Sequence, residues 1–284
     1  MTTTEKRILF VLAALWGGSF IFIREAAPVF GPLIMVEIRV TIAGLALTIY
    51  ARMRSIPVEF RKWWRQYFVL GALNSAIPFL LVSSAEVHLS ASMAVLLNAT
   101  SPLFGALVSA AVLSDPLTFR KSCGIGVCLA GVVALVGWSP LTHTRETYVA
   151  VGACLAAALT YGFAGAYIKT SMKSAPAIGM AAGSMSCAAL LLLPFTAWSH
   201  LRMPVTGTAI GCVLALAFIC TTLAYILYFR LVITAGPAKA LSVTFLTPVF
   251  GLTWGAMFIG EPLTLVKVTA CIIILAGTAL LIGT

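Results

Sequence analysis

Long apolar windows recur along the whole chain and leave little sequence between them. Ten windows of about 20 residues can be marked within the 284 residues, and about 20 apolar residues is the length with which an α-helix crosses a bilayer. The connections are too short to hold a soluble domain. The sequence therefore predicts an all-α integral membrane protein with ten transmembrane helices, at residues 8–27, 32–51, 67–86, 91–113, 119–139, 147–169, 177–198, 207–230, 239–259 and 264–283.

The composition agrees with a chain whose solvent is lipid. Hydrophobic residues make up 61% of the chain, charged residues only 9%, and the mean hydropathy is +1.07, whereas about a quarter of the residues of a soluble domain are charged. The first window is too long for the core of a signal peptide, and no small-residue cleavage site follows it. All seven cysteines fall inside the windows without a CxxC or Cys/His pattern, so we expect free thiols and neither a metal nor a cofactor.

The basic residues are distributed unevenly between the two sides of the predicted protein. The net charge is +10, and a positive excess marks the cytoplasmic side of a membrane protein. We therefore expect both termini in the cytoplasm, attraction of the basic side to anionic lipid, and no nucleic-acid partner. Of the 18 Lys and Arg residues, 13 lie in the segments assigned to this side: Lys6, Arg7, Arg52, Arg54, Arg61, Lys62, Arg65, Arg120, Lys121, Lys169, Lys173, Arg230 and Lys239.

A sequence segment of the first half, called the repeated phrase below, recurs in the second half. Residues 98–137 match residues 244–283 without a gap, with 13 identities in 40 positions, and the matched segments include Asp-Pro-Leu-Thr at 115–118 and Glu-Pro-Leu-Thr at 261–264. Each half, 1–140 and 141–284, contains five windows, so the second half enters the membrane with the opposite orientation. Inverted repeats are typical of secondary transporters; the alternative is a duplication kept only for packing.

Three prolines inside the windows share one feature, which is a polar residue four positions earlier. A proline in a helix removes one hydrogen bond and displaces the carbonyl of that earlier residue, and in lipid this carbonyl needs another partner or a wet cavity. We expect the helix backbone to be locally opened at all three prolines, with the freed carbonyls and the polar side chains around one polar cavity. The alternative is ordinary proline kinks and polar side chains that hydrogen-bond neighbouring helices together. The pairs are Pro78 with Asn74, Pro102 with Asn98, and Pro248 with Thr244.

Aromatic residues are the second group of side chains that could line the predicted cavity. Trp16, in the stretch LWGGSF, and Tyr161, at a comparable place in the second half, lie inside their windows, so they line a cavity or pack in the core. The predicted substrate-binding set is Trp16, Asn74, Pro78, Asn98, Ser101, Tyr161, Tyr225, Thr244 and Thr247. The predicted gating positions are Gly17, Gly18, Pro102, Gly105, Pro248 and Gly251.

A few charged residues fall within reach of the bilayer, where charge is costly and often functional. The favoured interpretation is a structural ion cluster at the outer rim, in which Glu37 and Arg39 pair with each other or with Arg24 and Glu25. The alternative is a proton-coupling pair formed by Glu86 and His88.

The motifs of other function classes do not occur in the sequence. A Walker A motif is missing, so ATP hydrolysis within this chain is not expected, and the eight acidic residues are scattered without a metal-binding or catalytic spacing. We therefore expect no enzyme. A membrane scaffold or sensor that transports nothing stays open as an alternative of another class.

LWGGSF near the start and the pair SPLFGALVSAAVLSDPLT and TPVFGLTWGAMFIGEPLT resemble the drug/metabolite transporter superfamily, specifically its EamA-type branch. The resemblance covers the whole chain. It implies a central cavity between windows 1, 3, 4, 6, 8 and 9, with windows 2, 5, 7 and 10 at the periphery. It also implies export of amino acids, including aromatic ones, or of other metabolites or drugs across a bacterial inner membrane. The absence of a central Lys/Arg pair argues against a phosphate substrate.

Overall fold

A computed structural model describes residues 1–138, 144–201 and 203–282, and in these residues the only regular secondary structure is helical. By length and composition, nine of the described helices can cross a membrane, and a further apolar helix has 17 residues. The helices are α1 (Thr3–Phe30), α2 (Pro32–Met53), α3 (Phe60–Ala85), α4 (Ala91–Leu113), α5 (Phe119–Trp138), α6 (Arg145–Ser171), α7 (Ala177–Thr196), α8 (Gly207–Ala235), α9 (Val243–Ile259) and α10 (Leu265–Ile282), with a short helix at Pro237–Ala240.

Several helix ends are set by side chains that the local sequence supplies. Thr2 accepts a hydrogen bond from the backbone of Glu5, and the Glu5 carboxylate accepts one from Thr2, which closes a capping box at the start of α1. Thr206 caps α8 through its hydroxyl. Gly31 joins α1 to α2 with a φ of 76°, a conformation that residues with a Cβ atom rarely adopt.

The structure extends some helices beyond the predicted windows. Helix α3 begins at Phe60, although the apolar window begins only at residue 67. The additional turns carry charged residues, but Trp63 is buried and donates its indole N–H to Glu59 at 3.0 Å. Because long cationic side chains can extend from an apolar helix to water, a hydropathy window ends before the helix does.

Small residues bring neighbouring helices into close contact. The main helix pairs are α5 with α10, α2 with α7, α1 with both α8 and α9, and α6 with both α3 and α4. A Cβ atom added at Gly124 of α5 would lie 2.9 Å from the carbonyl oxygen of Gly277 in α10, and one added at Gly44 of α2 would lie 2.9 Å from the backbone nitrogen of Ser186 in α7. Such close backbone approach is a common way for helices to associate in lipid, where no hydrophobic force drives them together.

The predicted gating glycines divide into two groups. A Cβ atom at Gly17 would lie 2.8 Å from the backbone nitrogen of Gly251, and one at Gly251 would lie 2.7 Å from Val95. Both glycines are therefore required by the crossing of α1, α9 and α4. Gly18 faces the ring of Trp254 at an ordinary distance of 3.6 Å, and Gly105 faces open space.

Two helices each contain one wider, π-helical turn. These turns span Ala72–Ala76 in α3 and Phe218–Leu223 in α8, so they begin 146 residues apart, the same offset that aligns the repeated phrase. In α8, the hydroxyl of Thr221 donates to the carbonyl of Leu216 at 2.7 Å. Such turns change the direction in which the following side chains point and are frequent at functional sites.

The repeated phrase has different conformations in α4 and α9. Helix α4 is interrupted at residues 99–100, between the segments Ala91–Asn98 and Ser101–Leu113. Pro102 lies in the first turn of the second segment, where its missing N–H costs no hydrogen bond. Helix α9 instead continues through Pro248. The expected opening of the backbone is therefore a break of the helix in α4 and a π-helical turn before Pro78 in α3, whereas in α9 it is limited to the carbonyl of Thr244, which receives no N–H from Pro248.

Candidate functional site

The buried guanidinium of Arg39 lies at the contact of three helices. Arg39 belongs to α2 and is only 5% exposed. Its Nε donates a hydrogen bond to the hydroxyl of Thr221 in α8 at 2.9 Å, and its central carbon lies 4.0 Å from the ring centre of Phe79 in α3. This is a cation–π contact in a setting with little water.

A hydrogen-bonded pair with aromatic neighbours lies beside this group. The side-chain amide of Asn74 donates to the hydroxyl of Tyr225 at 3.0 Å. The ring centre of Tyr225 is 6.3 Å from that of Trp16, and Trp16 is 5.5 Å from Tyr228. Asn74 and Thr221 both belong to π-helical turns, from which Asn74 contacts Tyr225 of α8 and Thr221 contacts Arg39 of α2.

Tyr161 of α6 completes the group. It lies close enough to interact electrostatically with Arg39 and Tyr225, and its ring packs against the main apolar core. We call this set the central cluster. It consists of Trp16, Arg39, Asn74, Phe79, Tyr161, Thr221 and Tyr225.

Three members of the central cluster are not in the predicted binding set: Arg39, Phe79 and Thr221. The sequence predicts Arg39 in a rim ion cluster with Glu37, but Glu37 accepts a hydrogen bond from Thr41 at 3.0 Å, and Arg39 donates to Thr221. The expectation that α2 is peripheral is also wrong at this position. The available signal was a cationic residue inside an apolar window, which is a reason to look for a function.

The remaining predicted binding residues take other roles in the described structure. The hydroxyl of Ser101 donates to the carbonyl of Asn98 at 2.6 Å, across the interruption of α4. The hydroxyls of Thr244 and Thr247 donate to the carbonyls of Leu241 and Val243. No hydrogen bond or ring contact among the described residues joins them to the central cluster. Within the same residues, the amide oxygen of Asn98 is buried without a hydrogen-bond partner, and Pro78 is buried in α3.

A second polar region lies where α3 ends and α4 begins. Arg24 of α1 donates to the backbone carbonyls of Glu86 and Leu89. The Glu86 carboxylate is buried, and neither of its oxygens has a hydrogen-bond partner among the described residues. Burial raises the pKa of Glu86 well above its usual range, although the charges of Arg24 and Arg39 act in the opposite direction.

His88 does not share the environment of Glu86. It lines a surface cleft of about 410 Å³ together with Arg145 and Glu146 at the start of α6. The Glu86 oxygens, by contrast, are enclosed and without a partner among the described residues. The structure therefore does not bring Glu86 and His88 together as a hydrogen-bonded pair.

Glu261 ties the start of α4 to the connection between α9 and α10. Its carboxylate accepts the backbone N–H groups of Ala91 at 2.7 Å and Ser92 at 3.0 Å, and Lys267 lies 3.5 Å away. Burial raises the pKa of Glu261, but the hydrogen bonds from Ser92 and Ala91 and the charge of Lys267 outweigh this and lower it overall. A carboxylate at a helix N-terminus is also favoured by the helix dipole. We call this contact the Glu261 latch.

Asp115 occupies the equivalent corner in the first half but forms no latch. The backbone N–H of Asp115 donates to Ser109, and that of Glu261 donates to Gly255, so both corners close in the same way. The Asp115 carboxylate is exposed, and no described residue donates a hydrogen bond to it. The two corners therefore share the same backbone hydrogen bond, but only the carboxylate of Glu261 binds the start of another helix.

Comparison with known proteins decides which family has this architecture. The sequence profile described as the EamA-like transporter family matches residues 7–137 and again residues 149–283. The chain belongs to the EamA-like transporter family. This confirms the resemblance found in the motifs, and it identifies the bundle of apolar helices as a multi-pass membrane transporter.

Individual transporter relatives align with this chain over nearly its full length. An uncharacterized transporter, YvbV, from Bacillus subtilis (strain 168) is 24% identical over 98% of this EamA-family chain and 91% of its own length. A probable amino-acid metabolite efflux pump from Salmonella typhimurium is 22% identical over 98% of this chain and 94% of its own. One solved crystal structure superimposes with a TM-score of 0.70, covering 99% of this chain and 96% of that one; at 19% identity it shows the fold alone.

Proposed function

We propose that this EamA-family protein is a secondary transporter that exports small neutral or amphipathic metabolites across the inner membrane by alternating access. Amino acids, including aromatic ones, are the proposed main substrates. The observation that carries the proposal is the contrast between the two acidic corners, since Glu261 is engaged and Asp115 is not. In a transporter built from two inverted halves, equivalent contacts that form alternately would hold the two mirrored access states.

The proposal includes ten membrane crossings in two inverted halves, residues 1–140 and 141–284. Three structural features support a duplication with an offset of 146 residues: the π-helical turns, the acidic corners and the matched phrase. Helix packing supports it as well, because exchange of the halves turns the α1/α9 contact into the α6/α4 contact. The boundary at residues 140 and 141 lies outside the described residues.

Orientation assigns each corner to one side of the membrane. With both termini in the cytoplasm, as the basic residues indicate, Glu261 lies on the outer side and Asp115 on the cytoplasmic side. The engaged Glu261 latch then corresponds to a state closed to the outside. In the alternate state, Asp115 would cap the short helix Pro237–Ala240, because the offset of 146 aligns Ala91 with Pro237. Proline has no N–H, so this inner latch offers one hydrogen bond fewer.

The substrate site is proposed at the central cluster. Trp16, Tyr161 and Tyr225 offer aromatic surface, while Asn74 offers a polar group. The proposed set retains Asn98, whose buried amide oxygen has no partner among the described residues. Ser101, Thr244, Thr247 and Pro78 remain proposed contacts of the alternate state. The relative named as an amino-acid metabolite efflux pump supports amino acids over the drugs that other chains of this fold export.

Efflux from proteoliposomes tests this function. Liposomes that contain the purified protein are loaded with radiolabelled L-phenylalanine or L-alanine, and release is compared with that from protein-free liposomes. We expect saturable release, and a several-fold loss in Tyr225→Phe and Asn98→Ala. Tyr50→Phe is the matched control, because no described residue hydrogen-bonds the Tyr50 hydroxyl. Release equal to that of protein-free liposomes for every amino acid would favour the scaffold or sensor alternative.

A further inference from the structure

Most of the hydrogen-bond donors of Arg39 have no acceptor within the part of the chain that the structure describes. A guanidinium has five N–H donors, and only the Nε–H of Arg39 has an acceptor among the described residues, the hydroxyl of Thr221. The two terminal nitrogens have no acceptor among the described residues, but neither of them is fully enclosed, so both keep some accessible surface. The 5% of the residue that stays accessible is therefore consistent with donors that point into space open to a small molecule.

The nearby carboxylates do not neutralise this cation directly. Glu37 accepts a hydrogen bond from Thr41, and both Glu86 oxygens lack any partner in the described residues. A buried charge without a counter-ion is costly and within a membrane bundle generally marks a functional site. Arg39 thus has the properties of an anchor for a charged group that is not part of the chain.

The surroundings of Arg39 specify the geometry of that group. Thr221 holds the Nε edge, and Phe79 covers one face at 4.0 Å. What remains is the edge that carries the two terminal nitrogens, whose parallel N–H groups match the two oxygens of a carboxylate. A lysine would present a point charge without this match.

We propose that Arg39 binds the carboxylate of the transported molecule. This inference rests on the proposed function and narrows it to small carboxylates with an apolar or aromatic body, the body lying against Tyr161, Tyr225 and Trp16. Amines and amides of the same shape lack the anionic group and are excluded. Thr221 is a positioning residue, because it acts by orienting the guanidinium.

The test compares an acid with its amide on the full-length protein. Binding of L-phenylalanine and of L-phenylalaninamide is measured by thermal shift, and efflux of both is measured from proteoliposomes. We expect the wild type to prefer the acid by about tenfold or more, the scale of a charge-assisted bidentate contact. Arg39→Gln should abolish the preference, and Arg39→Lys should keep a part of it. Arg230→Gln, at an exposed position of α8, is the matched control and should keep all of it.

Each outcome bears on one of the two proposals. Equal binding of acid and amide by the wild type, or an unchanged preference in Arg39→Gln, overturns the role of Arg39 while saturable amino-acid efflux leaves the transport function in place. If Arg39→Gln does not fold, Arg39→Lys provides the test, and a full acid preference in that variant contradicts bidentate binding. Absence of efflux for every amino acid instead contradicts the proposed function itself.

Discussion

The carboxylate of Glu261 lies 2.7 Å from the backbone nitrogen of Ala91 and holds the first turn of α4 against the end of α9. The two residues are 170 positions apart in the chain. Since α4 and α9 carry the repeated phrase, this single contact joins the equivalent helices of the two halves at one end of the bundle. The proposed alternation between access states depends on its release.

Removal of the Glu261 charge should open this end of the bundle. In Glu261→Gln, one oxygen is replaced by an NH₂ group that cannot accept from Ser92, and the ion pair with Lys267 is lost. Loss of a helix cap costs about 1 kcal/mol, so a cysteine at position 94, in a background without the seven natural cysteines, should react several-fold faster with an impermeant maleimide. Asp115→Asn is the control at the equivalent corner. Equal rates in the two variants would contradict the latch.

Asp115→Asn should affect transport without affecting the stability of the state described here. The Asp115 carboxylate is exposed and accepts no hydrogen bond from a described residue, so the melting temperature should stay within about 1 °C, as for most surface substitutions. Efflux should fall, because the alternate state loses its proposed inner latch. Thermal unfolding and proteoliposome efflux of the same preparation check this. A lower melting temperature together with normal efflux would be the opposite result.

Glu86 should make the stability of the protein depend on pH. Burial raises its pKa above the usual 4.5, while Arg24 and Arg39 moderate the shift and Glu261 adds to it. Because the folded state holds this proton more tightly than the unfolded chain, the stabilisation is complete below pH 4.5 and is lost as the pH rises through the pKa of the folded protein. Thermal unfolding between pH 5 and pH 9, run in about one-unit steps, should therefore show a melting temperature that falls with rising pH.

Substitution of Glu86 isolates its contribution from that of other groups. Glu86→Gln keeps the shape of the protonated side chain, so its melting temperature should vary less with pH and exceed that of the wild type at alkaline pH. Glu25→Gln, at an exposed position of α1, should leave the wild-type profile unchanged. If the profile of Glu86→Gln matches the wild type, Glu86 does not carry the proton.

Alanine substitutions at Gly17 and at Gly105 should have different effects on stability, because α1 closely approaches α9 at Gly17 whereas Gly105 faces open space. At Gly17 the new methyl group meets the backbone of Gly251 and Thr247 at 2.8 Å, atoms that move only with the whole helix. Overpacking of this kind costs about 1–3 kcal/mol. Gly105→Ala places its methyl group in open space and should be neutral or slightly stabilising, since alanine favours the helix. Thermal unfolding of both variants checks this, and equal effects would contradict the packing described for α1 and α9.

The membrane-spanning helices and the acidic corners could be predicted from the sequence, because hydropathy and a repeated phrase depend on residues that are adjacent in the chain. The structure also brings Asn74, Tyr161, Tyr225 and Trp16 into one group, and their role in substrate binding stays a prediction. Arg39 was not predicted in this group, since its partner Thr221 is 182 residues away and hydropathy says nothing about the direction in which a side chain points.

The difference between α4 and α9 lay beyond sequence reasoning for another reason. Their matched phrases carry the same proline, yet the first half is interrupted at residues 99–100, just before Pro102, and the second half at residues 241–242, between the short helix Pro237–Ala240 and α9. Two similar sequences take different conformations when the state of the whole bundle, and not local preference, selects between them. This is the behaviour that alternating access requires of inverted repeats.

Counterflow tests the central claim most directly. Proteoliposomes loaded with unlabelled L-phenylalanine are diluted into a trace of the labelled amino acid, and internal label is followed over time. An alternating carrier returns loaded sites, so the account predicts transient accumulation of label above equilibrium, reduced in Glu261→Gln and in Asp115→Asn. Label that only rises to equilibrium, at a rate independent of the internal amino acid, would contradict it.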